Sequence, residues 1–196
     1  LIIMGSVAIG LFAGLFVLGL YEGMIYARVR TVIDTEVAHL QIHHPTFKED
    51  YDPAFTLPEQ TLLLNALDQI KGIKHIAQRS ITQGMLATTT GSAGVQINGI
   101  LTKDENIVSG MNKKIIEGGE LNVNKKNGIL VGKKLADKLK IKIGSKIVLT
   151  FTDKESTITS GAFRVTGLYQ TNNSPLDERN VYVNHSTLNV PLLIGE

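Results

Sequence analysis

Apolar residues are distributed very unevenly along the chain. Leu1 to Leu20 reads LIIMGSVAIGLFAGLFVLGL with no charged side chain, and the first charge is Glu22. At about 1.5 Å per residue such a run makes roughly 30 Å of helix, the thickness of a bilayer's hydrocarbon core. A cleaved secretory leader would carry a basic start, a shorter apolar core and a small-residue cleavage site. The chain opens inside the apolar run instead, and Tyr21 to Arg30 contains no Ala-x-Ala pattern. The expectation is a transmembrane helix over residues 1–27, with further chain ahead of Leu1.

Within the run, Ser6, Gly10 and Gly14 recur every four residues, and Gly19 and Gly23 continue the small-residue spacing. Small side chains on one face let two helix backbones approach closely, whereas lipid offers no gain for burying leucine there. The spacing marks Ser6, Gly10 and Gly14 as a helix-packing seam, although glycine is also simply common in membrane helices. Tyr21 and Tyr26 fall where an interfacial aromatic belt would lie, and the positive-inside tendency of Arg28 and Arg30 would set that end in the cytoplasm. Beyond them Ile25, Val29, Ile33 and Val37 recur every four residues, widened by Val32. That stripe predicts a stalk helix over residues 28–38, continuous with the span.

After the stalk the periodicity shortens. His39 to His44 alternates polar and apolar residues before Pro45, which predicts a short strand, and Thr46 to Thr56 reads as a loop. Pro58 opens a helix whose apolar face is Leu62, Leu63, Ala66, Leu67 and Ile70, closed by Gly72. Ile73 to Leu101 predicts two or three strands with turns near Gly84 and Gly91 to Gly94. Short helical pieces broken at Gly110 follow, then strand Ile129 to Val131, helix Lys133 to Leu139, a turn at Gly144 and strand Lys146 to Thr152. Strands within Ser156 to Tyr169 and at Val181 to Val183, and a short helix from Ser186 to Leu193, complete the pattern. Strands alternating with short helices make residues 39–196 a mixed α/β, strand-rich domain of the α+β class, borne on the membrane helix.

Composition removes several classes of function. The 196 residues carry Lys+Arg 20 against Asp+Glu 18, a formal net charge of +2, far from the basic excess of a nucleic-acid protein. With Cys 0 there is no disulfide framework, thiolate metal site or cysteine nucleophile. An apolar share of 43% is too high for a disordered chain.

The candidate chemistry is thin. Gly128-Ile-Leu-Val-Gly132-Lys133-Lys134 has three residues between its glycines where a phosphate loop needs four, and Lys134 stands where Ser or Thr would hold Mg²⁺. Gly91-Ser92-Ala93-Gly94 is no nucleophile elbow, since Thr90 occupies the glycine position two before Ser92. His39 and His43 are four apart, with His44 and Glu36 nearby, but no third ligand or HExxH order accompanies them. The lysines from Lys125 to Lys146 form a basic stretch, to be read as a solvated face or as a contact for anionic headgroups or an acidic partner. No catalytic residue, cofactor site or metal site is expected.

In order and spacing, several segments together resemble the periplasmic core of MacB-like ABC transporter permeases, the group with the MacB, LolC/LolE and FtsX types. They are the glycine-containing span with His39-Leu40-Gln41-Ile42, Gly72-Ile73-Lys74-His75-Ile76 and Val95-Gln96-Ile97-Asn98-Gly99-Ile100. Asn127-Gly128-Ile129-Leu130-Val131-Gly132, Leu135-Ala136-Asp137-Lys138-Leu139 and Ile143-Gly144-Ser145-Lys146-Ile147 follow. Phe163-Arg164-Val165-Thr166-Gly167-Leu168-Tyr169 and Asn180-Val181-Tyr182-Val183 complete the match over nearly the whole chain.

The resemblance implies a non-enzymatic permease subunit of a bacterial inner membrane, its main domain periplasmic. Its partners would be an ABC ATPase subunit, a second permease copy or paralogue and the lipid bilayer, with a lipoprotein or other periplasmic partner left open. It also implies an outward first span, against the weak sign of Arg28 and Arg30, and further spans and ectodomain after Glu196. One departure stands out: LolC-like members that receive a lipoprotein carrier resemble one another in a proline-containing hook, whereas Thr152 to Ala162 here is short and proline-free. The competing class is a membrane-anchored binding or sensor module.

Overall fold

The computed structural model describes residues 2–33, 38, 40–122 and 127–192. The chain divides into two compact units, Leu1–Gln41 and Ile42–Glu196. The first is built on helix α1, Ile2–Val32, which is apolar all round because no core awaits one face of it. Ala38 stands at φ 59, a left-handed conformation that does not continue an α-helix. The rest of the expected stalk, residues 34–37, lies outside the described residues.

The second unit begins irregularly. Leu40 to His44 forms no strand, contrary to the alternation in the sequence, because no neighbouring strand takes up its hydrogen bonds. One helical turn, α2 at Phe47–Asp50, and helix α3, Gln60–Asp68, follow. The apolar face expected for α3 is present, yet the helix buries none of its residues.

Among the described residues seven strands carry the domain: β1 Arg79–Ala87, β2 Ser92–Ile100, β3 Ile115–Gly118, β4 Gly128–Gly132, β5 Lys146–Thr152, β6 Ile158–Tyr169 and β7 Asn180–Asn184. Their order is β3-β6-β4-β7-β2-β1-β5, and β5 pairs again with β6. Six strands therefore close on one another, and closure leaves few free edges to aggregate. The long β6 makes this possible. Ile158 to Arg164 pairs with β5, while Arg164 to Tyr169 pairs with β4 in parallel and, on its last residues, with β3.

Alternation along the strands fills the interior. Leu86, Ile97, Ile129, Val131, Leu149 and Val183 are fully buried in the main cluster, joined by Leu135 of helix α6, Lys133–Leu139, and Leu188 of helix α8, His185–Leu192. A second cluster holds Ile100, Met111, Leu130, Tyr169 and Tyr182. There Tyr169 and Tyr182 meet edge-on at 5.2 Å, and the Tyr169 hydroxyl donates to the Asn180 carbonyl at 2.8 Å. Each buried ring thus keeps its apolar body packed, and this hydroxyl satisfied.

Gly84 corrects one expectation. It lies in the middle of β1, not in a turn, and a Cβ there would stand 2.5 Å from the Thr150 carbonyl of β5. The glycine lets two strand backbones approach, a long-range requirement that local sequence does not display. Helices α4, Thr102–Val108, and α5, Met111–Lys114, occupy the stretch expected to be broken at Gly110, while β3 and the six-residue α7, Ser174–Arg179, were not anticipated.

Candidate functional site

Ile2–Arg30 of α1 is long and apolar enough to cross a membrane, and none of it is buried within the chain. Its 29 residues extend about 44 Å, longer than the roughly 30 Å hydrocarbon layer of a bilayer. Ser6, Gly10 and Gly14 all lie on this helix. The Ser6 hydroxyl donates to the Ile3 carbonyl at 2.9 Å, which satisfies it inside its own helix, and no heavy atom approaches within 4 Å of the position a Cβ would take at Gly10 or Gly14. At Gly10 and Gly14 the helix surface is therefore open among the described residues.

The sequence-level alternatives for chemistry resolve into structural roles. Gly128–Gly132 is a strand with all five residues buried. At Gly132 an added Cβ would meet the Asp177 carbonyl oxygen at 2.0 Å and the Asp177 Cα at 2.7 Å. The backbone of α7 rests on the glycine, so no phosphate has room there. Asp177 is itself buried, and its carboxylate accepts hydrogen bonds from the Thr171 amide at 3.0 Å and from the Thr171 hydroxyl at 2.8 Å.

The histidines find local partners as well. His43 Nδ1 lies 2.9 Å from the His44 carbonyl, and His44 Nδ1 bonds the Thr46 hydroxyl at 2.9 Å. The His44 ring stacks on Phe55 at 5.1 Å. Among the described residues no group of three metal-ligating side chains assembles, and His39 lies outside them.

Two lysines of α6 form surface ion pairs, Lys133 within its own helix and to β3, and Lys138 to α7. Lys133 lies 3.3 Å from Asp137 and 3.4 Å from Glu117, and those hydrogen bonds, Asp137 first, raise its pKa above the ordinary lysine value. Lys138 contacts Glu178 at 2.5 Å, and that hydrogen bond holds the Glu178 carboxyl below its usual range. Both sit in solvent and contribute little stability. A deeper pair joins β1 to α4. Arg79 Nε and Nη2 donate to both oxygens of the buried Glu105, at 2.9 and 2.6 Å. Burial alone would lower the Arg79 pKa, but the hydrogen bonds and charge of Glu105 outweigh it and raise the value. Sequence reasoning missed this pair, whose partners are far apart in the chain.

The β5–β6 hairpin is tight. Strand pairing persists to Thr152 opposite Ile158, and Asp153 caps the turn by accepting from the Glu155 and Thr157 amides at 2.9 and 2.8 Å. No extended hook projects from it.

A helix long and apolar enough to cross a membrane, followed by a strand-rich α+β unit, is the arrangement of a membrane-borne domain. The chain belongs to the family of MacB-like periplasmic core domains, whose model matches residues 1–194. Among solved structures it is similar to the extracellular domain of the noncanonic ABC-type transporter YknZ from Gram-positive bacteria. That match has a TM-score of 0.51 at 19% identity and covers 76% of this chain and 73% of the other. It is also similar to a domain of a protein from Porphyromonas gingivalis described as a permease, at TM-score 0.42 and 14% identity, over 74% of this chain and 54% of that one. No curated protein matches significantly.

Proposed function

We propose that the chain is the first span and extracytoplasmic domain of a permease subunit in a bacterial inner-membrane ABC transporter. In this reading ATP hydrolysis by a separate ATPase subunit moves the span, and the ectodomain shifts in response, as export or lipoprotein release requires. A second permease copy or paralogue packs on the small-residue face at Ser6, Gly10 and Gly14. The observation that carries the reading is the membrane-length α1 at the head of a MacB-like core domain. An α-helix holds its hydrogen bonds internally and transmits displacement with little bending. A proline-free, five-residue turn at the end of β5 speaks against carrier docking at that hairpin and leaves a LolE-like or general export role open.

The test is insertion of two or three glycines after Val32 in the full-length gene product, assembled with its ATPase. Intact expression with ATPase activity uncoupled from transport is expected. Transport that stays coupled to hydrolysis after the insertion would overturn the lever mechanism.

A further inference from the structure

The outward face of β1, β5 and β6 combines features that the permease reading does not use. The strand register stacks its outward residues in rows. Lys146 faces Arg164, and the next row is Ala87, Val148 and Ala162. Met85 begins the row beyond, opposite Thr150 and Ser160. No carboxylate stands in these rows. Lys146, Arg164, Val148, Ala162 and Met85 are exposed. The turn before β5 is tied to this face, since Gly144 donates its amide to the Val165 carbonyl at 2.8 Å and accepts from the Arg164 guanidinium, and Lys142 is an exposed residue of that turn. Among the described residues none of Lys142, Lys146 and Arg164 has a carboxylate partner, whereas Lys133 and Lys138 do.

Two like charges directly opposite each other on neighbouring strands oppose folding. The pair concentrates positive charge at one end of the face at some cost to stability. Beside it lies a shelf of small apolar side chains, flat enough for a polypeptide to lie against. No aromatic or leucine projects from these rows to insert into a bilayer. We propose that this face docks an acidic polypeptide segment, its carboxylates on Lys146, Arg164 and Lys142 and its apolar side on Val148 and Ala162.

The experiment uses the full chain in nanodiscs of zwitterionic lipid. A fluorescent 15-residue peptide alternating glutamate with alanine serves as probe, and vesicles rich in phosphatidylglycerol form a second arm. Binding that weakens with salt, and falls about tenfold or more in Lys146→Glu/Arg164→Glu but not in Lys133→Glu/Lys134→Glu, supports the proposal. Single Lys146→Glu is expected to raise the unfolding midpoint while lowering peptide affinity, which separates docking from damage to the fold. Equal losses in both double variants, no peptide binding, or binding confined to the vesicles would overturn it. Peptide binding is read without ATP or transport, so its failure leaves the permease reading standing.

Discussion

Gly132→Ala probes the contact that closes the false phosphate loop. The new methyl would arrive 2.0 Å from the Asp177 carbonyl oxygen, 2.7 Å from its carbonyl carbon and 2.7 Å from its Cα. All three are backbone atoms, so no side chain can swing aside. Overpacking of this kind costs about 1–3 kcal/mol. Displacing α7 also pulls the buried Asp177 carboxylate from the Thr171 amide and hydroxyl, and each hydrogen bond to a charged group is worth about 1.5–3 kcal/mol. Loss of one such bond brings the total to roughly 3 kcal/mol or more, a fall of about 6–12 °C in the ectodomain's unfolding midpoint. Gly94 is the internal comparison, a strand glycine with no heavy atom within 4 Å of its Cβ position, and Gly94→Ala should change stability by less than about 0.5 kcal/mol. Thermal and urea unfolding of both variants, followed by circular dichroism in detergent, make the measurement. A Gly132→Ala midpoint matching that of Gly94→Ala would refute the reasoning.

Three further outcomes are expected. Arg79→Met strands the buried Glu105 carboxylate and should cost about 3–5 kcal/mol, while adding Glu105→Leu should recover most of the loss, a cycle that urea unfolding can close. Asp153→Ala removes the acceptor of two turn amides, about 1–2 kcal/mol, and hydrogen exchange should show lost protection confined to Thr152 to Ile158. For Glu178 the folded pKa is depressed, so its contribution to stability is present above the unfolded carboxyl pKa and lost as pH falls through the lower folded value. Its carboxyl NMR titration should move upward in Lys138→Gln and in high salt, and an unmoved midpoint would contradict the pairing.

The stretch from β4 to β5 was legible because one element after another satisfies its own local rule. GILVG is a short, continuously buried run, and Lys133 to Leu139 turns Leu135, Ala136 and Leu139 to one side. Distant partners decided the places where expectation failed. Gly84 resembles a turn glycine until β5 is laid beside it, and Leu40 to His44 alternates like a strand but pairs with no strand among the described residues. Helix α7 hides in a run of turn residues, held by Asp177 and by the Gly132 surface below it. The proposed seam at Ser6, Gly10 and Gly14 was visible as spacing alone, and within the described residues Gly10 and Gly14 face open space. The cation row at Lys146 and Arg164 needs strand register, since the two residues stand 18 positions apart in sequence and directly opposite in space.

The central claim is that α1 spans the membrane with the strand-rich unit on its outer side. These 196 residues carry Cys 0, so Ile158→Cys, at an exposed position beside the β5–β6 turn, adds one thiol to them, with any cysteine elsewhere in the full-length protein replaced by serine. Full-length protein in spheroplasts or protoplasts is treated with a membrane-impermeant maleimide before and after permeabilisation. Full labelling of intact cells is the predicted result; a thiol that reacts only once the membrane is opened would contradict it.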